Sequence, residues 1–294
     1  MVKYSHPHIS VIVTTYNREE LICETIDSIL NQTFNNFELI IVDDGSTDDT
    51  EIIIRNYKDE RIKYIKIANC GRPARPRNIG IKEAKGQLIA FCDDDDYWMP
   101  DKLNEQLKYF DDNLIGVGTN AFIIGGKKRL KHHNMESDIL LGMDNILKLK
   151  SNIFSSLMIK NKPIYFDESK KMSFAEDFEY NLKLVLSSGQ KIKLLAKPFV
   201  YYRQHLGSNV INLNHAENTL NVVEKYKEDI SPEQLDILYH KIYFNLSGLA
   251  FIETPKKCRL YSLKALKYNK YNLKGFLLYC FSFFPISIRK LIAN

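Results

Sequence analysis

The chain of 294 residues lacks most of the features that would assign it to a class at sight. Its five cysteines, Cys23, Cys70, Cys92, Cys258 and Cys280, form no CxxC pair and are odd in number. Complete internal pairing is therefore excluded, and a reducing compartment is expected. No stretch approaches the ~20 uninterrupted apolar residues of a membrane span. The nearest, Phe276 to Ile288, is shorter and contains Pro285. The N-terminal MVKYSHPHISV has no basic flank, apolar core and small-residue cleavage site, so a cytoplasmic location is expected. No GxGxxG follows the first strand-like segment, which excludes a dinucleotide-dependent dehydrogenase at motif level. There is no internal repeat and no low-complexity tract. Acidic residues are absent after Glu253. From Thr254 to Asn294 there are nine Lys or Arg and no Asp or Glu, so the net charge of +5 arises in this tail and the remainder is net acidic. A nucleic-acid binder would interleave its basic residues on a platform, and here the only basic block lies in an apolar tail.

What is present is a core-forming composition, 45% hydrophobic, arranged in alternating periods. Ile9–Thr15 is a β-branched run suited to a strand buried on both faces. Arg18–Asn31 has a helical apolar period. Glu38–Val42 is a second strand, and Thr47 is placed to cap a helix that runs to about Tyr57 with acidic residues in its first turn. Ile62–Ile67 and Gln87–Cys92 are further strands around a helix at Arg75–Lys85, and Pro100 opens another helix. Repeated β-α-β-α implies an α/β fold with a mostly parallel central sheet, whose ligands bind beyond the carboxyl ends of the strands. Residues 113–175 are less regular, with strands expected at 115–124 and 155–159 and a hairpin turn at 125–128. Glu176–Leu186 reads as a helix capped by Gly189, followed by strands at 191–195 and 199–203. From Ala216 the pattern is helical, with Ser231-Pro232-Glu233 as a helix start. The domains expected are 1–215, divided into a nucleotide-binding part (8–112) and an acceptor part (113–215), and a helical extension, 216–294.

Two strand ends on one rim carry carboxylates: Asp43 and Asp44, and the run Asp93-Asp94-Asp95-Asp96. The plain reading of the run is a solvated acidic loop before a helix. Its position argues otherwise, because adjacent carboxylates after a buried strand are costly without a counter-ion. Mg²⁺ or Mn²⁺, held by one or two carboxylates plus substrate phosphates, would remove that cost.

The ordered set VIVTTYN (11–17), VDDGSTDDT (42–50), GRPARPRNIG (71–80), AKGQLIAFCDDDDYWMPDKL (84–103) and AEDFEYNLKL (175–184) resembles the family 2 glycosyltransferases. The resemblance covers about residues 8–205. It implies the GT-A nucleotide-diphospho-sugar fold and inverting transfer to a glycan, with Mn²⁺ or Mg²⁺ as cofactor. Thr15, Tyr16 and Asn17 would pack against base and ribose, Asp43 would accept a hydrogen bond from the base, and Arg77 would help hold the nucleotide. The DxD would be Asp93 and Asp95, with Asp94 between them. Asp95 is then the direct metal ligand and Asp93 meets ribose or a metal-bound water. Asp94 and Asp96 share the DxD spacing, so the register stays open. Trp98 would wall the sugar or acceptor pocket, or else is a structural indole. In the Glu176-Asp177 pair Asp177 would be the base, and Glu176 would orient the acceptor or its loop. Arg203 and His205 would approach the diphosphate or metal.

The donor implied is a UDP-sugar, and the acceptor a glycan or lipid-linked glycan of capsule, O-antigen or lipooligosaccharide. A nucleotidyltransferase is the alternative enzyme, but TTYNREE is no Gly-rich triphosphate loop. A non-catalytic nucleotide-sugar binder is the other alternative. In the tail, GFLLYCFSFFPISI followed by Arg289-Lys290 suits either a helix packed on the catalytic domain or a peripheral contact with the cytoplasmic face of the inner membrane.

Overall fold

A computed structural model describes residues 7–125, 130–131, 135–147, 153–204 and 213–293. The described chain forms two compact units, Met1–Met143 with Ser151–Glu168 and Tyr180–Asn209, and Asp144–Lys150 with Ser169–Glu179 and Val210–Asn294.

In the first unit β1 (Ile9–Thr15), β2 (Phe37–Asp43), β3 (Ile62–Lys66) and β4 (Leu88–Asp93) alternate with α1 (Ile22–Leu30), α2 (Thr50–Asn56) and α3 (Ala74–Glu83). β5 (Tyr97–Trp98), α4 (Lys102–Leu107), β6 (Leu114–Ile124), β7 (Leu130–Lys131) and β8 (Ile139–Leu141) follow. β9 (Met158–Lys160) and β10 (Lys191–Arg203) complete a sheet of order β3-β2-β1-β4-β9-β6-β10-β5, with β7 on β6 and β8 on β10. The pairs β3-β2, β2-β1, β1-β4 and β6-β10 are parallel. The short strands β5, β7, β8 and β9 run antiparallel to their neighbours. β1 and β4 read as continuous apolar runs because both faces are covered. The register sets Thr15 beside Asp43 and Thr14 beside Asp93, so three strands end on one rim.

Helices α1 and α2 begin later than the sequence pattern suggests, for one shared reason. The polar residues ahead of each helix bond to the other loop. Asn17, in the left-handed region at φ 50°, receives Thr47 N–H on its Oδ1 at 2.8 Å and donates its own N–H to Ser46 Oγ at 2.9 Å. Arg18 N–H goes to Thr50 Oγ1, and Asp49 N–H to Glu19 Oε2, each at 2.8 Å. Gly45 makes the turn possible: its φ is +78°, and a Cβ there would stand 2.9 Å from Asn69 N. Gly80 has a different task, since a Cβ on it would meet Ile12 Cγ2 at 2.5 Å where α3 lies on β1.

The two strands expected at 191–195 and 199–203 are one, β10, with register shifts against β6 between Leu195 and Val200. The strand expected from Ser155 starts at Met158, because Phe154–Ser156 forms a 3₁₀ turn whose buried serines bond elsewhere. Beyond Gly125 the expected hairpin turn lies outside the described residues, and β6 and β7 pair antiparallel around it.

The second unit contains α5 (Met143–Leu147) from Asp144 onward and the first turn of α6 (Glu176–Ser188), which Gly189 ends at φ +68°. It also holds α7 (Leu213–Tyr226), α8 (Pro232–Ala250), α9 (Pro255–Tyr268), α10 (Leu273–Phe281) and α11 (Ile286–Ala293). α8 opens on a capping box, with Ser231 and Gln234 bonded reciprocally and Pro232 at the first helical position. The segment 169–179 belongs with these helices through Asn218 Nδ2 to Ser173 O at 2.8 Å and through Glu179. Glu179 is buried and accepts from Lys225 Nζ at 2.8 Å and from the Tyr226 hydroxyl. Among the described residues no helix is long and apolar enough to cross a membrane.

One buried group in the first unit gives a pH signature. Lys102 is fully buried, 3.7 Å above the Trp98 ring, with its Nζ donating to Gln106 Oε1 at 2.8 Å. Burial lowers its pKa to about 7. The unfolded chain therefore holds more protons than the fold between about pH 7 and the ordinary lysine value near 10.4, and stability contributed by Lys102 rises across that range. Urea unfolding of wild type and Lys102→Met at pH 7 and pH 10 should show the difference moving in favour of wild type with pH, by roughly 1–4 kcal/mol. A pH-independent difference would mean that the amine is not desolvated.

Candidate active site

A cavity of about 540 Å³ opens at the carboxyl ends of β1 and β4 in the first unit. Thr14, Thr15, Tyr16 and Arg18 line it from the first loop, and Asp44 from the second. Asn69, Gly71, Arg72, Pro73, Pro76 and Arg77 contribute from the entry to α3. Asp93, Asp94 and Asp95, with Tyr202 and Arg203 at the end of β10, close the remaining side.

The four aspartates are sorted by the chain itself. Asp94 and Asp96 are buried, while Asp93 and Asp95 are half-buried. Asp96 is fully enclosed. Its Oδ2 accepts from Ser155 Oγ, its Oδ1 from Arg203 N–H at 2.8 Å, and its carbonyl from Thr25 Oγ1 at 2.8 Å. Burial, and then the charges of Asp93 and Asp95, push its carboxyl well above the usual range. Asp94 is tied to Arg18 Nε at 3.1 Å and to Tyr16 N–H at 3.3 Å. Burial lifts its pKa to about 6 against the opposing effect of Arg18. Arg18 would itself be lowered by burial, but Asp94 and its neighbours hold it above the ordinary guanidinium value. Asp93 receives Arg77 Nη2 at 2.8 Å, and Asp95 lies 3.8 Å from Arg18 Nη2.

Arg77 is held from beneath by aromatic rings. Its Cζ stands 4.1 Å from the Phe154 ring centroid and 5.3 Å from that of Phe166, and the Phe166 ring stacks on Tyr180 at 3.9 Å. Such cation–π contacts fix the guanidinium plane and offset part of its desolvation.

Of the two pairs with DxD spacing, Asp93 and Asp95 are half-buried and both line the cavity, whereas Asp96 is enclosed and is not among the lining residues. Asp43 and Asn17, expected at the nucleotide, do not line the cavity, and of the two readings of Trp98 the structure shows the structural one. Asp43 is fully buried, with its oxygens taken by Ser46 N–H at 2.7 Å and by the Tyr64 hydroxyl at 2.6 Å; Asp44 lines the cavity instead. Asp44 in turn receives Cys70 N–H and Gly71 N–H, at 2.9 and 3.0 Å. Asn17 joins two loops and is not among the lining residues. Trp98 is buried away from the cavity, its Nε1 donating to Ser155 O at 2.9 Å, so it is the structural indole.

Thr15, Tyr16, Arg77, Asp93, Asp94, Asp95 and Arg203 do meet around the cavity. Glu176 is buried and Asp177 exposed in the first turn of α6, in the second unit. His205 lies outside the described residues. Sequence reading passed over Arg18, Arg72, Tyr202 and Ser155. Arg18 had a signal, a cation directly after TTYN on a rim rich in aspartate. Ser155, which joins Asp93 N–H to Asp96, had none.

For a divalent cation, Asp93 and Asp95 present hard oxygen donors at the cavity. Among the described residues no three His, Cys, Asp or Glu are gathered to hold an ion by themselves. That donor set fits Mg²⁺ or Mn²⁺, which take one or two carboxylates and leave other positions to water and substrate phosphates.

Asp96 and Asp95 should differ sharply on substitution. Asp96→Ala strands Ser155 Oγ and Arg203 N–H and should cost about 2–4 kcal/mol in denaturant unfolding. Asp95→Asn relieves like-charge repulsion and should change stability by less than about 1 kcal/mol. Equal effects would refute the division into an enclosed and a cavity-facing aspartate.

The model of glycosyl transferase family 2 matches residues 10–174. The chain is 35% identical over 200 residues to the UDP-Glc:alpha-D-GlcNAc-diphosphoundecaprenol beta-1,3-glucosyltransferase WfaP of Escherichia coli, covering 68% of this chain and 78% of that protein. It is 31% identical over 212 residues to the poly(ribitol-phosphate) beta-N-acetylglucosaminyltransferase TarS of Staphylococcus aureus, where the match spans 68% of this chain but only 36% of that one. The crystal structure of TarS 1-349 in complex with UDP-GlcNAc superposes with a TM-score of 0.62 at 22% identity, over 92% of this chain and 89% of that one. The mannosyltransferase PcManGT of Pyrobaculum calidifontis, in complex with GDP-Man and Mn²⁺, gives 0.58 at 18% identity, over 98% and 86%. These likenesses establish a shared fold, the GT-A α/β fold with helices appended at its C-terminus. On the family match and the identity to WfaP, this chain belongs to the family 2 glycosyltransferases.

Proposed function

We propose that the chain transfers a hexosyl or N-acetylhexosaminyl group, with inversion, from a UDP-sugar to a glycan or lipid-linked glycan during assembly of a cell-surface polysaccharide. The observation that carries this reading is the rim in which Asp93 and Asp95 face the cavity while Arg18, Arg72, Arg77 and Arg203 surround it. A nucleoside diphosphate needs cations about its phosphates, and a divalent ion needs hard oxygens beside them. The UDP-glucose donor in the name of WfaP and the UDP-GlcNAc bound to TarS support the choice of uridine. The diphosphoundecaprenol acceptor of WfaP supports a lipid-linked acceptor, and the Mn²⁺ complex of the mannosyltransferase supports metal use.

In this reading Tyr16, half exposed at the cavity, packs against the base, and Asp44, on the same wall, faces the nucleoside. Arg77, fixed by Phe154 and Phe166, and Arg203, anchored by its Nε on Asp95 O at 2.9 Å, balance the diphosphate as negative charge grows on it. A Mg²⁺ or Mn²⁺ held by Asp95, with Asp93 beside it, would neutralise the leaving diphosphate. Asp177 is the base. Its exposed carboxylate takes the proton from the acceptor hydroxyl as that oxygen attacks the anomeric carbon on the face opposite the leaving group. Its place in the first turn of α6 favours the ionised form that a base must have. Glu176 beside it orients the acceptor or its loop.

Two measurements test this. Calorimetry with a panel of nucleotide sugars and Mn²⁺ should find a UDP-sugar that binds only with metal, and Asp95→Asn should abolish the metal dependence. With that donor, Asp177→Asn should bind equally but lose turnover by roughly 10²-fold or more. Metal-independent binding would remove the ion from the reading, and full turnover by Asp177→Asn would remove the base.

A further inference from the structure

The C-terminal helices expose an unusual surface. Of the eighteen large hydrophobic residues exposed among the described residues, twelve lie between Leu260 and Ile292. Monomeric soluble surfaces carry single exposed apolar residues, but seldom such a concentration. The helix α11 is inverted relative to an ordinary surface helix. Ile286, Ile288, Leu291 and Ile292 face solvent, whereas Arg289 is buried and donates from Nη1 to Phe251 O at 2.7 Å. An amphipathic helix in water does the opposite and places its aliphatic stripe inward. Before it, Phe276 and Leu277 on α10 and Phe283 and Phe284 in the turn are exposed as well, with Phe283 resting on the Arg259 guanidinium at 4.5 Å.

The charge carried by α9, α10 and α11 themselves is of one sign. Lys256, Lys264, Lys267, Lys270, Lys274 and Lys290 lie on or between these helices, which contain no acidic residue of their own, and Lys257 is paired with Glu217 of α7 at 3.0 Å. A second copy of the chain meeting this face through a two-fold axis would set like charges against one another. An acidic lipid surface complements both features, because headgroup phosphates meet the lysines while aliphatic and aromatic side chains enter the acyl boundary.

We propose that α10 and α11 form an interfacial docking face for an anionic bilayer, with Arg289 as the latch that holds α11 to its unit and turns its aliphatic face outward. The proposal does not depend on which sugar is transferred or on whether the cavity is active.

The test is sedimentation of the full chain with vesicles of phosphatidylcholine alone and of phosphatidylcholine with about one third phosphatidylglycerol. Wild type should bind the anionic vesicles at least about tenfold more strongly than the neutral ones, and added salt should weaken the binding. A variant carrying Phe276→Ser, Ile288→Ser, Leu291→Ser and Ile292→Ser should lose about a hundredfold in vesicle affinity while keeping its thermal unfolding midpoint and its UDP binding. A second variant, Lys270→Gln with Lys274→Gln and Lys290→Gln, should lose the preference for anionic lipid but keep the weak neutral binding. Failure of wild type to bind either vesicle, or undiminished binding by the serine variant, overturns the proposal. So does a dimer in light scattering that the serine variant abolishes in the absence of lipid, which would assign the face to a second copy.

Discussion

The rim of the first unit depends on how four adjacent carboxylates are kept apart in energy. At such spacing, repulsion through a partly desolvated medium would force the end of β4 open unless each charge had a different environment. The turn that Asp94 and Asp95 make beyond β4, closed by Asp96 N–H on Asp93 O at 3.2 Å, supplies the first separation, burying Asp94 and Asp96 and leaving Asp93 and Asp95 half-buried. Partners supply the second. Ser155 and Arg203 N–H take Asp96, Arg18 takes Asp94, and Arg77 takes Asp93. Asp95 lies 3.8 Å from Arg18 Nη2 and lines the cavity.

The neighbouring loops serve this arrangement. Arg18 can reach Asp94 because its backbone is bound to Thr50 and because Asn17, one residue before, is locked to Ser46 and Thr47. Arg77 reaches Asp93 from a platform of Phe154 and Phe166, which a flexible lysine could not use in the same way. Ser155 joins Asp93 and Asp96 across the sheet and carries the Trp98 indole on its carbonyl. The bonds of Ser155 to Asp93 and Asp96 span 62 and 59 residues of chain, so they act only in the folded state.

The two units divide the chemistry between them. The first holds the cavity with its arginines and carboxylates, and the second holds Glu176, Asp177 and the basic, apolar helices.

By itself the sequence determined the alternation of strands and helices, the rim on which ligands gather, and the residue types available there. Uninterrupted apolar runs such as ISVIVTT allow only a doubly covered strand, and local signals such as Ser231-Pro232 and Gly189 determine helix ends through short-range bonds. Tertiary structure decided which member of each acidic pair is enclosed. Asp43 and Asp44 are equivalent in composition, as are Asp95 and Asp96, and contacts that include Tyr64, Ser155 and Arg203, distant along the chain, separate them. It also decided the inversion of α11, where Arg289 is buried on Phe251 O while Ile286, Ile288, Leu291 and Ile292 are exposed. Periodicity records which residues could face inward. Which of them does so depends on partners that arrive only when the chain has folded.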